Sequence, residues 1–349
     1  MNNNWFSIDQ IGRIQIELSD YCNAACPQCD RAELFWASKK DNSIVYKLNS
    51  RYFTLSEIQG WFSPYDWSSL KMVHYCGNVD EPTTNPEMIE ITKFFLSLSN
   101  KCRVEIATNG GTRDEKFWKE LGKLSKDTGR ILVHFALDGL EDTNHIYRKN
   151  VNWTTTQRNF RSYIAAGGMA AWQFIVFSHN KHQLTEAKAM SDNEGFARFN
   201  IIESGRNDID EQVEVSIEKV EVPEWYSTNN GDKINGVSLK EFLEENNTFS
   251  CVRCPAKLKS GINKFDEEFG NIYISAAGYV VPCCWMGNPL ELIKLWNSNT
   301  SLSPTTHNLH NATLESIINS DWWDYINNVQ NDYELCIQKC KELRGDKHI

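Results

Sequence analysis

Six short apolar segments, each rich in β-branched residues, alternate with amphipathic stretches over the first 200 residues of the chain. Strands are predicted at residues 13–20, 71–77, 102–109, 131–139, 172–177 and 198–204. Helices are predicted between them, one opened by a capping box at 54–57 and another covering 114–124. Strands that alternate with helices run parallel and are joined by right-handed crossovers. The pattern therefore predicts an α/β fold, either an open sheet or a barrel, with six strand-helix units.

The composition changes after residue 205. Residues 206–250 are acidic and polar without strand-helix alternation, which is typical of a connector or a lid. Beyond them, residues 251–349 hold six of the eleven cysteines around a hairpin-like segment at 271–282. The sequence therefore predicts three parts: an α/β domain at 1–205, a connector or lid at 206–250, and a small metal-binding domain at 251–349.

The overall charge and the apolar pattern limit the partners and the compartment. A formal net charge of −10 argues against broad binding to a nucleic-acid backbone, which needs a cationic surface. No uncharged apolar run reaches about 18 residues, the length that a membrane span needs, and no signal peptide is evident. We expect a soluble, cytoplasmic protein whose cysteines are reduced and available as metal ligands or catalytic thiols.

Three cysteines lie within eight positions directly after the first predicted strand. Cys22, Cys26 and Cys29 have the spacing C-x3-C-x2-C. In an α/β barrel this loop lies at the carboxyl end of the strand, where active sites are built. The pattern predicts a metal site, and the alternatives are a zinc knuckle or three buried cysteines.

The spacing of these cysteines resembles that of the radical S-adenosylmethionine (radical SAM) enzymes. In that superfamily three thiolates bind three irons of a [4Fe-4S] cluster, and S-adenosylmethionine (SAM) binds the fourth iron through its amino and carboxylate groups. The resemblance implies a partial (β/α)6 TIM-like barrel. Gln28 stands where the family usually has an aromatic residue near the adenine, so this chain lacks that stacking side chain.

The resemblance also implies that SAM is held by residues at the ends of the next strands. The segment CGNVDEP resembles the Gly-Gly-Glu segment of the family, which makes Glu81 the candidate carboxylate for the SAM amino group and Asp80 the fallback. Arg148 suits a two-pronged hydrogen bond with the methionine carboxylate. The alternatives are a surface position for Arg148 and a turn-forming role for Asn109. The complete predicted set is Gly77, Asn78, Asp80, Glu81, Thr108, Asn109, Asp138 and Arg148.

Cys76 ends the second predicted strand and faces the same site. The resemblance makes it a candidate catalytic residue that donates a hydrogen atom to a product radical. The alternative is an ordinary buried cysteine.

The C-terminal cysteines resemble those of the SPASM and Twitch extensions of radical SAM enzymes, which hold auxiliary iron-sulfur clusters. The segment GYVVPC, ending at Cys283, carries this resemblance. It implies one auxiliary [4Fe-4S] cluster, and a zinc site with the same four ligands is the alternative. The predicted ligands are Cys254, Cys283, Cys336 and Cys340, with Cys251 and Cys284 in reserve.

The family resemblance implies an enzyme that accepts one electron from a flavodoxin- or ferredoxin-like reductant. It would cleave SAM and abstract hydrogen from a C–H bond of a peptide or small metabolite. The outcomes in the family include peptide crosslinking, epimerisation or oxidation, and dehydrogenation of a sugar-like alcohol. The short stretch before the first strand makes a peptide less expected, and the cysteine spacing after Cys254 disfavours the nucleotide-rearranging group. A non-catalytic metal-binding scaffold is the alternative function.

Overall fold

A computed structural model of the chain describes residues 7–40, 48, 51–203, 233–234, 237–238, 270–298, 304–323 and 325. The strands are β1 Ile11–Ile16, β2 Met72–Tyr75, β3 Arg103–Thr108, β4 Ile131–Ala136, β5 Met169–Val176, β6 Arg198–Glu203, β7 Lys233–Ile234, β8 Val237–Ser238, β9 Gly270–Ile274 and β10 Val280–Val281. Eight of these strands form one sheet in the order β10-β9-β1-β2-β3-β4-β5-β6, and β7 pairs with β8 separately.

Helices follow the strands of the large sheet. They are α1 Asp30–Lys40, α2 Leu55–Phe62, α3 Met88–Leu98, α4 Glu115–Thr128, α5 Asn144–Tyr147, α6 Trp153–Ala165, α7 Leu184–Asn193, α8 Pro289–Ser298 and α9 Leu314–Ile318. Short 3₁₀ turns lie at Ile8–Gln10, Pro82–Thr84, Lys181–Gln183 and Pro304–His307. The six strands β1 to β6 are parallel neighbours in chain order, which is the arrangement of a partial TIM barrel.

All six strands predicted from the sequence are present, with shifts of one to three residues at most ends. The hairpin predicted at 271–282 is confirmed as β9 and β10, which pair antiparallel. The sequence did not predict that β9 also pairs parallel with β1, with Ile16 opposite Ile274. The described start of the predicted C-terminal domain is therefore continuous with the barrel sheet. The boundaries at 205 and 250 stay predictions, since most of 204–269 lies outside the described residues.

The two helix signals in the sequence form as expected. Thr54 caps α2, since its Oγ1 accepts from the Glu57 amide at 3.2 Å while the Glu57 carboxylate accepts from the Thr54 amide at 2.9 Å. Asp114 caps α4 by accepting from the Phe117 amide at 3.0 Å. These bonds satisfy backbone groups that a helix start leaves without partners, so the local sequence sets where both helices begin.

The two faces of the sheet differ in chemistry. Outward side chains such as Val73, Ile106 and Phe135 are fully buried and pack against the helices. Inward side chains on the same strands include Glu105 and His134, which are also buried. The apolar layer under the helices supplies most of the hydrophobic stabilisation, while the barrel interior combines these polar groups with a small apolar cluster of Leu132, Met169 and Ala171.

The helix layer is closely packed at Gly122 on α4. A Cβ atom there would lie 2.4 Å from the carbonyl oxygen of Tyr163 on α6. Only glycine allows these two helices to approach so closely. Within the described part of the chain, no helix is both long and apolar enough to cross a membrane.

Candidate active site

The cysteine loop joins β1 to α1 at the carboxyl edge of the barrel. The Cys22, Cys26 and Cys29 side chains all line one cavity of about 1140 Å³. Each of the three sulfurs has a different polar neighbour. Cys22 Sγ lies 3.8 Å from Nδ2 of Asn109, Cys26 Sγ lies 3.9 Å from Nη1 of Arg148, and Cys29 Sγ lies 3.8 Å from the carbonyl oxygen of Asn78.

The three cysteines share one cavity, and each sulfur lies near a different polar group. Across the described ranges, no three His, Cys, Asp or Glu side chains form a group that could hold a single metal ion.

The backbone of the loop turns sharply between the last two cysteines. Gln28 has a φ of 54°, in the left-handed region that few non-glycine residues adopt. Its side chain lines the cavity. Burial and the nearby Glu81 carboxylate raise the pKa of the Cys22 thiol. Burial and the nearby carboxylate thus favour the neutral thiol form of Cys22.

Glu81 is buried at the cavity wall, and its two carboxylate oxygens are used unequally. Oε1 accepts from the hydroxyl groups of Thr83 at 2.7 Å and Thr108 at 2.6 Å, while Oε2 accepts from the Asn109 amide at 2.7 Å. Burial raises the pKa of Glu81, and these hydrogen bonds oppose that effect. Thr108 and Asn109 thus position Glu81, whose Oε2 keeps capacity for a further donor.

Asp80 has a different environment from its neighbour. Its Oδ2 accepts from the backbone amides of Leu18 and Ser19 at 2.8 and 3.0 Å. Burial and the adjacent Glu17 carboxylate raise the pKa of Asp80 well above its usual range, which favours one proton shared by the two acids. Asp80 is therefore engaged with the end of β1, whereas Glu81 is held by residues that follow β2 and β3.

Arg148 and Asp138 form a buried ion pair at the opposite wall. Arg148 Nε donates to Asp138 Oδ2 at 2.6 Å, and Asp138 Oδ1 accepts from the Ile175 amide at 2.8 Å. Arg148 lines the cavity, whereas Asp138 is not among the lining residues. Asp138 thus lies behind Arg148 and orients its guanidinium, a role that differs from direct contact with a ligand.

Residues at or near the carboxyl ends of four neighbouring strands line the floor of the cavity. Cys76 directly follows β2, and Ala107, Ala136 and Gln173 lie on β3, β4 and β5. Gly77, next to Cys76, has a φ of 65°, which starts the turn towards Asn78. Cys76 is half-buried, and its thiol lies 3.5 Å from the carbonyl oxygen of His74. The small alanine side chains leave space beside this thiol.

Sequence reasoning missed several residues of the site. Phe35 and Trp36 of α1 line the outer wall and are 40% and 60% exposed. Tyr147 packs with Phe177 against Cys26 in a small buried cluster. Glu17 anchors the loop after β2. A glutamate in a predicted strand normally indicates a solvent-facing position, so only its place at the end of β1 signalled a role.

Of the predicted auxiliary-cluster ligands, Cys283 and its reserve Cys284 are described. Both are half-buried in the turn that follows β10, and Cys283 Sγ accepts from the Met286 amide at 3.5 Å. Cys251, Cys254, Cys336 and Cys340 lie outside the described residues.

Comparisons with known proteins bear on the family. No protein-family model matches the chain. GTP 3′,8-cyclase from Microcystis aeruginosa is 26% identical over 136 residues, which are 38% of this chain and 36% of the cyclase. The chain therefore matches about a third of the length of this curated relative.

Solved structures share the fold over most of the chain. Streptococcus suis SuiB superimposes with a TM-score of 0.51 at 12% identity, covering 94% of this chain and 67% of SuiB. The protein anSMEcpe with bound AdoMet superimposes with a TM-score of 0.52 at 14% identity, covering 90% of this chain and 82% of anSMEcpe. All three relatives are radical SAM enzymes. This chain has the fold of a radical SAM enzyme.

The residues present fit the groups that a radical SAM enzyme carries. Three thiols in one cavity would suit a cluster that binds each thiolate to a different iron. Glu81 and Arg148 line the same cavity and carry opposite charges, which would complement the amino and carboxylate groups of SAM.

Proposed function

We propose that this chain binds a [4Fe-4S] cluster at Cys22, Cys26 and Cys29 and cleaves SAM reductively, in order to abstract hydrogen from a C–H bond of its substrate. The observation that carries the proposal is that the three cysteines line one cavity together with the oppositely charged Glu81 and Arg148. When bound, the cluster supplies the electron that splits SAM into methionine and a 5′-deoxyadenosyl radical.

The charged residues of the cavity orient the cofactor. Glu81 receives the SAM amino group at Oε2, while Thr83, Thr108 and the Asn109 amide hold the carboxylate in place. Arg148 receives the methionine carboxylate, and Asp138 keeps its guanidinium aimed into the cavity. These contacts fix SAM by charge at both ends of its amino-acid portion.

Apolar packing behind the cluster limits access of water. Tyr147 and Phe177 are 1% and 2% exposed, and they contact Cys26, which is 7% exposed. Their ring centroids are 4.6 Å apart. Exclusion of water and loose thiols protects a carbon radical from side reactions.

Cys76 is the candidate hydrogen-atom donor at the floor of the cavity. Donation breaks its S–H bond and forms a C–H bond on the substrate radical. The thiyl radical left on Cys76 then returns to the thiol by gaining one electron from the flavodoxin- or ferredoxin-like reductant and one proton. Cys76 has this role if the reaction is an epimerisation, which inverts the configuration of a carbon centre.

The substrate class best supported is a peptide. SuiB bound to the precursor peptide SuiA superimposes with a TM-score of 0.50 at 14% identity, covering 80% of this chain and 61% of that protein. The anSMEcpe complex with a Cp18Cys peptide superimposes with a TM-score of 0.50 at 13% identity, covering 90% of this chain and 81% of that protein. The exposed rings of Phe35 and Trp36 at the cavity mouth suit a peptide side chain. A small metabolite such as a sugar-like alcohol is the second class.

An auxiliary [4Fe-4S] cluster is part of the proposal. Its ligands are Cys254, Cys283, Cys336 and Cys340, with Cys251 and Cys284 in reserve. Four thiolates leave no open iron, so this cluster would stabilise the C-terminal part and transfer an electron to or from the substrate radical.

The test compares a triple variant with a matched control. Cys22, Cys26 and Cys29 are replaced together by alanine, and the control is Cys102→Ala, which removes a core cysteine that is 0% exposed and does not line the cavity. Under anaerobic conditions with dithionite and SAM, we expect 5′-deoxyadenosine from the wild type and Cys102→Ala, and none from the triple variant. Deoxyadenosine from the triple variant would place the reactive cluster elsewhere, and none from the wild type would favour a non-catalytic scaffold.

A further inference from the structure

Two buried carboxyl groups connect the end of β1 with the loop after β2, and each accepts from the backbone of the other segment. Glu17 is 0% exposed, and it accepts from the amides of Asn78 at 3.0 Å, Val79 at 3.2 Å and Asp80 at 3.2 Å. In return, Asp80 accepts from the amides of Leu18 and Ser19. We call this arrangement of Glu17 and Asp80 the carboxyl clasp.

The clasp connects the two segments that carry the proposed cofactor ligands. Cys22 follows Ser19 by three residues, and Glu81 directly follows Asp80. A hydrogen bond from the Glu81 amide to the Tyr21 carbonyl, at 2.9 Å, continues the connection. The distance between the cysteine loop and the Glu81 carboxylate therefore depends on the clasp.

A residue from the C-terminal part of the chain completes the clasp. Tyr273 on β9 is 0% exposed, and its hydroxyl donates to Oε1 of Glu17 at 3.2 Å. Its ring packs against Gly287, where a Cβ atom would lie only 1.9 Å from Cε1. The Gly287 amide donates to the Cys283 carbonyl at 3.0 Å. Tyr273 thus links the clasp to the turn that holds Cys283.

We propose that Glu17 and Tyr273 are positioning residues through which the β9–β10 hairpin sets the affinity of the barrel site for SAM. This inference rests on the proposed function, because it concerns the same cavity. The Tyr273 hydroxyl stabilises the Glu17 carboxylate, which holds the amides of residues 78–80. Without that hydroxyl the loop opens more often, and Glu81 spends less time in the position that binds the SAM amino group.

The physical basis is the cost of burying a charge. A buried carboxylate is tolerated only when several donors satisfy its oxygens. Removal of one donor weakens the remaining contacts, because a carboxylate with an unsatisfied oxygen is better solvated when it moves towards water. The three backbone amides at 78–80 depend in turn on Glu17, so the loss of one hydroxyl on β9 is transmitted to the loop that precedes Glu81.

The test uses Tyr273→Phe with Tyr163→Phe as a matched control. Tyr163 on α6 is also 0% exposed and donates its hydroxyl to a backbone carbonyl, at 3.1 Å to Met169, but it does not line the cavity. In the full chain without its clusters, hydrogen exchange of the amides at 78–80 should be roughly tenfold faster in Tyr273→Phe, the scale of one hydrogen bond to a charged group. It should be unchanged in Tyr163→Phe.

Binding completes the test in the protein loaded with clusters. We expect Tyr273→Phe to raise the Kd for SAM several-fold with unchanged iron content, and Tyr163→Phe to leave the Kd unchanged. Glu17→Gln should raise the Kd as well, and adding Tyr273→Phe to it should cause little further loss, because both residues act through one clasp.

The outcomes separate this inference from the proposed function. If wild-type protein binds SAM and Tyr273→Phe binds it equally well, or if exchange at 78–80 does not change, the clasp does not set affinity and the inference is wrong. Equal effects of both tyrosine variants would indicate a general loss of stability and would also overturn it. If loaded wild-type protein binds no SAM, the proposed function fails, and the inference fails with it.

Discussion

Glu81 and Asp80 are adjacent in the chain, yet their carboxyl groups have different partners. Glu81 Oε2 faces the cavity with one backbone donor, whereas Asp80 Oδ2 is occupied by two amides of the β1 end. Both side chains are almost fully buried. The difference in partners, rather than in burial, is what favours Glu81 over Asp80 in the proposed role of binding the SAM amino group.

We predict that Glu81→Gln weakens SAM binding by about 1.5 to 3 kcal/mol, the scale of a charge-assisted hydrogen bond. The amide keeps the size of the side chain but removes the negative charge that attracts the SAM amino group. Isothermal titration of SAM into cluster-loaded protein measures the effect, with the exposed Glu120→Gln on α4 as the control. An unchanged Kd in Glu81→Gln would show that Asp80 or another group holds the amine.

At the scale of single elements, the strands could be predicted because their outward faces are apolar runs of β-branched residues. The helix starts at Thr54 and Asp114 could be predicted because capping is a local interaction. The pairing of β9 with β1 could not, since more than 250 residues separate Ile16 from Ile274 and no local pattern identifies a distant partner. Tyr273 was missed for the same reason, because its contact with Glu17 depends on that pairing. Glu17 was missed because its backbone partners in the loop after β2 lie 61 to 63 residues away.

Two helix glycines allow a matched test of helix packing. Gly122→Ala should destabilise the protein, because the added Cβ would lie 2.4 Å from the Tyr163 carbonyl oxygen and overpacking typically costs about 1–3 kcal/mol. Gly60→Ala on α2 should stabilise it by up to about 1 kcal/mol, because no atom lies within 4 Å and alanine favours helix. Thermal unfolding of cluster-free protein gives the sign of each change. A stabilising effect of Gly122→Ala would mean that α4 and α6 separate readily.

The polar interior of the barrel should make stability depend on pH. Burial and the nearby Arg13 lower the pKa of His74 on β2 to about 3, with Glu105 and His134 as its other charged neighbours. Burial alone would raise the pKa of Glu105, but the hydrogen bond and the charge of His134 lower it to about 2. Below pH 6.5 the unfolded chain binds a proton at His74 that the native protein does not bind. Stability therefore falls as the pH decreases.

The expected loss attributable to His74 between pH 7 and pH 5 is about 2 kcal/mol, from its ordinary pKa of about 6.5. Glu105 also lowers the stability as the pH falls, but only below about pH 4.5, where the unfolded chain binds a proton that native Glu105 does not. Urea unfolding of cluster-free protein at several pH values measures this, and His74→Gln should flatten the dependence between pH 7 and 5. The same slope in wild type and variant would mean that His74 is protonated in the native barrel.

At the scale of the whole molecule, two sets of thiols predict two clusters. Anaerobically prepared protein should hold about eight irons per chain, since each [4Fe-4S] cluster has four. Cys340→Ala should lose iron from the second site and destabilise the C-terminal part, while deoxyadenosine formation continues at the first. Iron analysis and Mössbauer spectra test both statements. Zinc in both sites of the wild type would contradict the enzyme proposal.

The position of β1 between β2 and β9 has a consequence during synthesis on the ribosome. β1 emerges before its partner strand β9, which follows only after about 250 further residues. At roughly 5–20 residues per second this interval lasts about 10 to 50 s. During that time one edge of β1 has unpaired backbone groups that other nascent chains can join. Chains that stop before residue 270 should therefore aggregate, and chaperones should be needed until the hairpin has left the ribosome.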